Sequence, residues 1–171
     1  MTGAFAITAC FAGCSPTEKK PTETHGTKET PVPKRKPIIT LQVEGETPVT
    51  DPTPEKVRDA LARMTPNGGP GFIILEGRGE DYAQVAGGDG LFTAEWREYL
   101  SEDFKHWKAG LREVPSKGEA VIPTNGAQII KVQNNERLNS VEAATILLAY
   151  LSGERRPAQF VWRDMSEMFR E

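Results

Sequence analysis

Five carboxylates, Glu76, Glu80, Asp81, Asp89 and Glu95, fall in one stretch that reads as a β-hairpin. Two of them held together would make an acid/base pair, one donating a proton and the other accepting. Several gathered on one loop would hold calcium, a hard cation that takes about six to eight oxygen ligands. Their spacing matches no calcium-loop pattern, and hairpin ends are polar as a rule. Solvated turn charges, or an acidic recognition surface, are the simpler readings. His106 is the one histidine beyond residue 36. A triad or a histidine–zinc site needs more partners than that. Its neighbours Phe104 and Trp107 place it on a sheet surface. Gly77-Arg78-Gly79 is too short for a phosphate loop. Gly87 to Gly90 lacks a Lys-Ser/Thr ending and leads into a strand, so both stretches read as turns.

Aromatic side chains are the other candidates. Tyr82, Trp107 and Trp162 are of the kind that dominates protein interfaces, although core packing explains them as well, Trp162 above all. No nucleophile, base and orienting group come together in the sequence. The expectation is therefore no catalytic residue, no cofactor and no metal.

The elements that must position these residues begin at Ile38. Ile38 to Val43 reads as a strand. Thr53-Pro54-Glu55 opens a helix, with Thr53 as cap, Pro54 in the first turn and Glu55 complementing the dipole. Val57, Ala60, Leu61 and Met64 form its buried stripe, and the run Pro66 to Pro70 stops it. Phe72 to Leu75 is a central strand. Tyr82 to Val85 and Leu91 to Trp96 make a hairpin around Gly87 to Gly90, whose second arm alternates Phe92, Ala94 and Trp96 with Thr93, Glu95 and Arg97. Phe104 to Leu111 reads as strand or helix, and Ala127 to Val132 as strand. Asn139 or Ser140 caps a second helix with Glu142 in its first turn; Val141, Ala144, Thr145, Leu148 and Leu151 mark one face, Ile146, Leu147 and Tyr150 widen the apolar sector, and Gly153 ends it. Gln159 to Trp162 is a last strand, and Ser166 to Phe169 a terminal turn or short helix. Together these predict an α+β domain over residues 37–171, with a mostly antiparallel sheet and two main helices.

Charge is distributed unevenly. Residues 15–36 hold six of the 21 basic residues and three of the 24 acidic ones, leaving 15 and 21 in the remainder. A domain of net charge −6 has no general attraction for nucleic acid, whose phosphates demand neutralisation. An ordinary solvated surface accounts for such a charge, and a basic partner is the other reading. Both cysteines, Cys10 and Cys14, lie in the first 14 residues, so the domain has no disulfide, thiol nucleophile or thiolate zinc site. Residues 15–36 are rich in Thr, Pro, Lys and Glu and almost free of large apolar side chains. They read as a disordered tether that reaches about 25 Å as a coil and about 65 Å extended.

The run Ala4 to Gly13, AFAITACFAG, is uncharged and far short of the roughly 20 residues that span a bilayer. It ends in Phe11-Ala12-Gly13-Cys14 and resembles a bacterial lipoprotein signal. Ala12 and Gly13 fit the small positions before the cysteine, whereas Phe11 departs from the usual Leu. The resemblance implies a diacylglycerol thioether on Cys14, two or three acyl chains, and anchoring to a membrane of the cell envelope. Such a signal opens with Lys or Arg, and Met1-Thr2-Gly3 supplies neither, so the natural start is expected upstream. The alternative is a frayed apolar terminus on a cytoplasmic protein.

Two segments of the domain carry a second resemblance. Leu75 to Glu98, LEGRGEDYAQVAGGDGLFTAEWRE, has a GG-D-G turn followed by an aromatic, then Glu before another aromatic. Ile146 to Phe169, ILLAYLSGERRPAQFVWRDMSEMF, has Tyr-x-x-Gly at a helix end and then apolar-x-Trp-x-Asp. With the helix near Pro54, this resembles the first-numbered family of bacterial polymorphic-toxin immunity proteins, small α+β proteins often encoded beside deaminase toxins. The resemblance implies inhibition by binding, with no chemistry. It makes Asp81, Tyr82, Asp89 and Glu95 candidate contacts for a toxin domain, to which Trp107 is added as an aromatic anchor. Two alternatives stand beside it: a structural envelope lipoprotein with no toxin partner, and an envelope hydrolase using the hairpin carboxylates.

Overall fold

A computed structural model describes residues 38–101 and 103–170 of the chain. The proposed lipid site Cys14 and the tether 15–36 lie outside the described residues.

Strand β1 (Thr40–Val43) buries Leu41 and Val43 on one side, and the two-residue β2 (Val49–Thr50) folds back against it. Helix α1 (Pro54–Ala62) starts where the sequence places it. The Thr53 hydroxyl accepts from the backbone N–H of Lys56 at 3.4 Å, and Pro54 needs no partner in the first turn. Val57, Ala60, Leu61 and Met64 are all buried, as their spacing requires.

Four strands then run up and down: β3 (Phe72–Glu76), β4 (Tyr82–Gly88), β5 (Leu91–Leu100) and β6 (Asp103–Leu111). The segment from Phe104 to Leu111 is thus strand, because nine residues pair along β5 and a later strand. The turn between β4 and β5 is two residues long, with Gly88 opposite Leu91. Asp89 and Gly90 have φ of 53° and 77°, the left-handed pair whose twist matches that of the flanking strands. A ribbon of β7 (Glu119–Thr124) and β8 (Gln128–Gln133) follows, then α2 (Ser140–Leu151) and β9 (Phe160–Asp164). A 3-10 turn at Ser166–Phe169 ends the described chain.

The main sheet has the order β2-β1-β3-β4-β5-β6-β9, with every pair antiparallel. This is the α+β architecture the sequence predicts. Ile73, Leu75, Ala83, Val85, Phe92, Ala94, Trp96 and Ala109 point to one face and join α1 and α2 in a single core. Each fully buried Ile or Leu there contributes about 1.5–3 kcal/mol. The β7–β8 ribbon makes a smaller core of Ala120, Ile122 and Val132 against Leu91. Gly110 must lack a side chain, since a Cβ there would meet the Asn135 amide at 2.5 Å.

Helix α2 departs from its expected orientation. Its cap is right: Asn139 Oδ1 accepts from the N–H groups of Val141 and Glu142, and the Glu142 carboxylate accepts from the Asn139 N–H. Its buried face, however, is Ala143, Ile146, Leu147, Tyr150 and Leu151, while Val141 is 76 % exposed. With apolar residues nearly all round, the pattern marks no unique face.

Candidate functional site

The register lines up two rows across the sheet. Gln84, Glu95, Lys108 and Arg163 form one, Tyr82, Arg97 and His106 the other. Alternation along each strand points both rows away from the helices. A surface row of this kind would normally be hydrated. Here the centre is dry: His106 has no exposed surface and Lys108 is 7 % exposed.

Glu95 is the hub. Its Oε2 accepts from Gln84 Nε2 at 2.6 Å and from His106 Nε2 at 2.9 Å, and its Oε1 accepts from Lys108 Nζ at 2.9 Å. Burial pushes the carboxyl pKa up, but the His106 hydrogen bond and the Lys108 charge together outweigh it and bring it down to about 2. Glu95 is therefore ionised at neutral pH. In the neutral imidazole, Nε2 carries the proton toward this carboxylate, and Nδ1 accepts from the Tyr82 hydroxyl at 3.4 Å.

The sequence places His106 on a sheet surface, and the C-terminal turn changes that. Phe169 stacks on the imidazole at 4.2 Å, and Tyr82 meets it edge-on at 5.8 Å. The turn is tied down from both sides of the backbone. The N–H of Met165 donates to the His106 carbonyl, and the N–H of His106 donates to Ser166 Oγ. Ser166 in turn donates to Asp164, and these bonds hold the Asp164 carboxyl well below the usual carboxylate range.

Tyr82, His106 and Glu95 thus have the connectivity of a nucleophile, base and orienting acid, which sequence reading does not find. Two observations weigh against that use. Burial raises the Tyr82 phenol pKa, the reverse of activation, and His106 offers no atom to a substrate.

Beside this cluster, at the β5–β6 end of the sheet, Arg97 lies over Phe104 at 4.0 Å, Tyr99 at 5.3 Å and Tyr82 at 5.9 Å. The Tyr99 hydroxyl donates to Glu80 at 2.7 Å, and its backbone N–H donates to Asp81. Tyr99, Leu100 and Phe169 remain 39, 52 and 44 % exposed. The result is an arginine–aromatic patch edged by two carboxylates.

Three of the five expected contacts, Asp81, Tyr82 and Glu95, meet here. Asp89 does not: it sits at the far end of β4, where Thr65 Oγ1 donates to it at 3.3 Å. Trp107 faces the helix side, half-buried against the core, with the Arg156 guanidinium 3.5 Å from its ring centre. Arg97, Tyr99, Phe104, Lys108 and Phe169 escape the sequence reading. Arg97 and Lys108 alternate in step with Glu95, but only the cross-strand register makes them neighbours. Among the described residues no group of His, Cys, Asp and Glu is placed to hold a metal, and no helix is long and apolar enough to cross a membrane. Comparison with protein-family profiles, with curated proteins and with solved structures finds no match to this chain.

Proposed function

We propose that the chain is a lipid-anchored, non-catalytic protein-binding module, an immunity protein that neutralises a toxin domain by covering it. The observation that carries this reading is the patch of Arg97, Tyr99, Phe104 and Phe169. Arginine and aromatic side chains, partly exposed and held rigid from beneath, are the composition of binding hot spots. Glu80 and Asp81 at its edge, and the acidic balance of residues 37–171, favour a basic partner. The charged cluster below serves as support, since a buried, hydrogen-bonded network centred on Glu95 fixes the position of what packs on it. Anchoring rests on Cys14 and the resemblance of its surroundings to a lipoprotein signal. An anchored protein of this kind would intercept its toxin in the envelope.

The test is titration calorimetry against the toxin domain encoded by the adjacent gene, paired with a co-expression protection assay. Binding is expected to weaken about thirtyfold in Tyr99→Ala, the effect of losing a hot-spot residue worth about 2 kcal/mol, with protection lost in parallel. No binding and no protection by the native chain would overturn the reading. The intact mass of Cys14 after expression from the natural start tests the anchor separately, with Cys14→Ala as control.

A further inference from the structure

The outer side of α2 is the least explained surface of the domain. Its sequence, SVEAATILLAYL, is apolar nearly all round, yet among the described residues one stripe has no cover. Val141 is 76 % exposed, and Ala144, Thr145 and Leu148 are only half-buried. A helix that is apolar on every side normally has neighbours on every side.

The stripe leads into a groove of about 590 Å³ between α1 and α2. Ile39, Pro52, Pro54, Leu148, Leu151 and Pro157 line it with apolar surface. Its polar edge is lopsided. Asp51 and Glu154 stand at the groove, and Glu55 lies next to Pro54. Against these, Arg58 is the one cation among the described residues that line the groove, and it already faces Glu55 at 3.7 Å. The Asp51 loop is fixed, because its backbone N–H donates to the Ile39 carbonyl at 2.8 Å.

We propose that this groove is a docking site for a basic amphipathic helix of a partner protein. A groove between two helices with apolar residues at its floor is a surface into which one helix can lay residues at i, i+3 or i+4, and i+7. The stripe from Val141 to Ser152 spans roughly 16 Å, enough for about three turns. The acidic edge selects Lys and Arg flanking those apolar positions. A second copy of this chain fits poorly, since it would bring Asp51, Glu55 and Glu154 against their own kind. The surface lies apart from Tyr99 and Arg97, so the two sites are tested independently.

The probe is an acetylated 14-residue Lys/Leu amphipathic helix, titrated into the full chain carrying Cys14→Ala and followed by amide chemical shifts. Saturable shifts are expected at Ile39, Thr145, Leu148 and Ser152. Asp51→Asn combined with Glu154→Lys, both exposed positions, should weaken binding between about twofold and thirtyfold through loss of two surface ion pairs. A Glu/Leu peptide of the same pattern should not bind. The proposal fails if those amides do not move, if both peptides bind equally, or if the double variant binds as well as the native chain. It fails too if the same amides shift with protein concentration alone, which would make the occupant a second copy. None of these variants touches the Tyr99 patch, so toxin binding stands or falls on its own.

Discussion

Replacing Glu95 by Gln is the sharpest probe of the buried cluster. The Glu95 side chain is 14 % exposed, and its pKa falls from the ordinary 4.5 to about 2 on folding. A carboxyl more acidic in the folded than in the unfolded chain stabilises the fold fully above the unfolded pKa. That stabilisation disappears as pH falls from about 4.5 toward 2. At 1.36 kcal/mol per unit, the shift corresponds to about 3 kcal/mol at neutral pH. Glu95→Gln keeps the shape but leaves Lys108 and His106 facing an uncharged amide, so it should cost about that much at pH 7. Near pH 2 the native carboxyl is about half protonated and the unfolded one almost fully, so the two proteins should converge to within about 1 kcal/mol. Urea unfolding followed by tryptophan fluorescence at pH 7, 5, 3.5 and 2.5 measures the gap directly. A gap that stays constant with pH, or one below about 1 kcal/mol at pH 7, would refute the account of Glu95 as a charge held by its partners.

Two further outcomes follow from local geometry. Phe169→Ala removes the ring stacked on His106 and should cost about 1–2 kcal/mol in urea unfolding, with His106 ring protons gaining contact with solvent by NMR; an unchanged histidine environment would show that the turn does not cover it. Gly90→Ala meets no neighbour within 4 Å, so its cost, about 1–2 kcal/mol, comes from the left-handed backbone alone, and Gly90→Asn should recover part of it; equal stability of all three proteins would rule out the two-residue turn.

Local signals made much of the fold readable. Thr53 and Pro54 announce α1, Asn139 and Glu142 announce α2, and Asp89-Gly90 announces the hairpin, because each acts within a few residues of itself. What failed to show depends on distant partners. The orientation of α2 is undetermined by a pattern that is apolar everywhere. Strand β7 reads EAVIPT, and its Pro123 argues against a strand, though a two-stranded ribbon tolerates it. The site was half legible. Asp81, Tyr82 and Glu95 stand out as polar or aromatic residues around a turn, whereas Lys108 and Phe169 join them only through pairing across the sheet and a turn some 60 residues further on. His106 looks exposed from its neighbours in sequence, and the cover that buries it is the very end of the described chain.

The place of β9 has a consequence for how the molecule is made. It pairs along five residues of β6, with register from Trp107 opposite Asp164 to Leu111 opposite Phe160, and it follows β6 in the chain by about 50 residues. Until it arrives, β6 stands as a bare edge with unsatisfied N–H and C=O groups, the kind of template that recruits strands from other chains. A chain shortened within its last dozen residues, or clipped in the loop before Phe160, would keep its helices and most of its core. It would also keep that edge open and become prone to aggregate. Pairing of β9 thus replaces the nine-residue edge of β6 with its own five-residue edge, a shorter template for foreign strands.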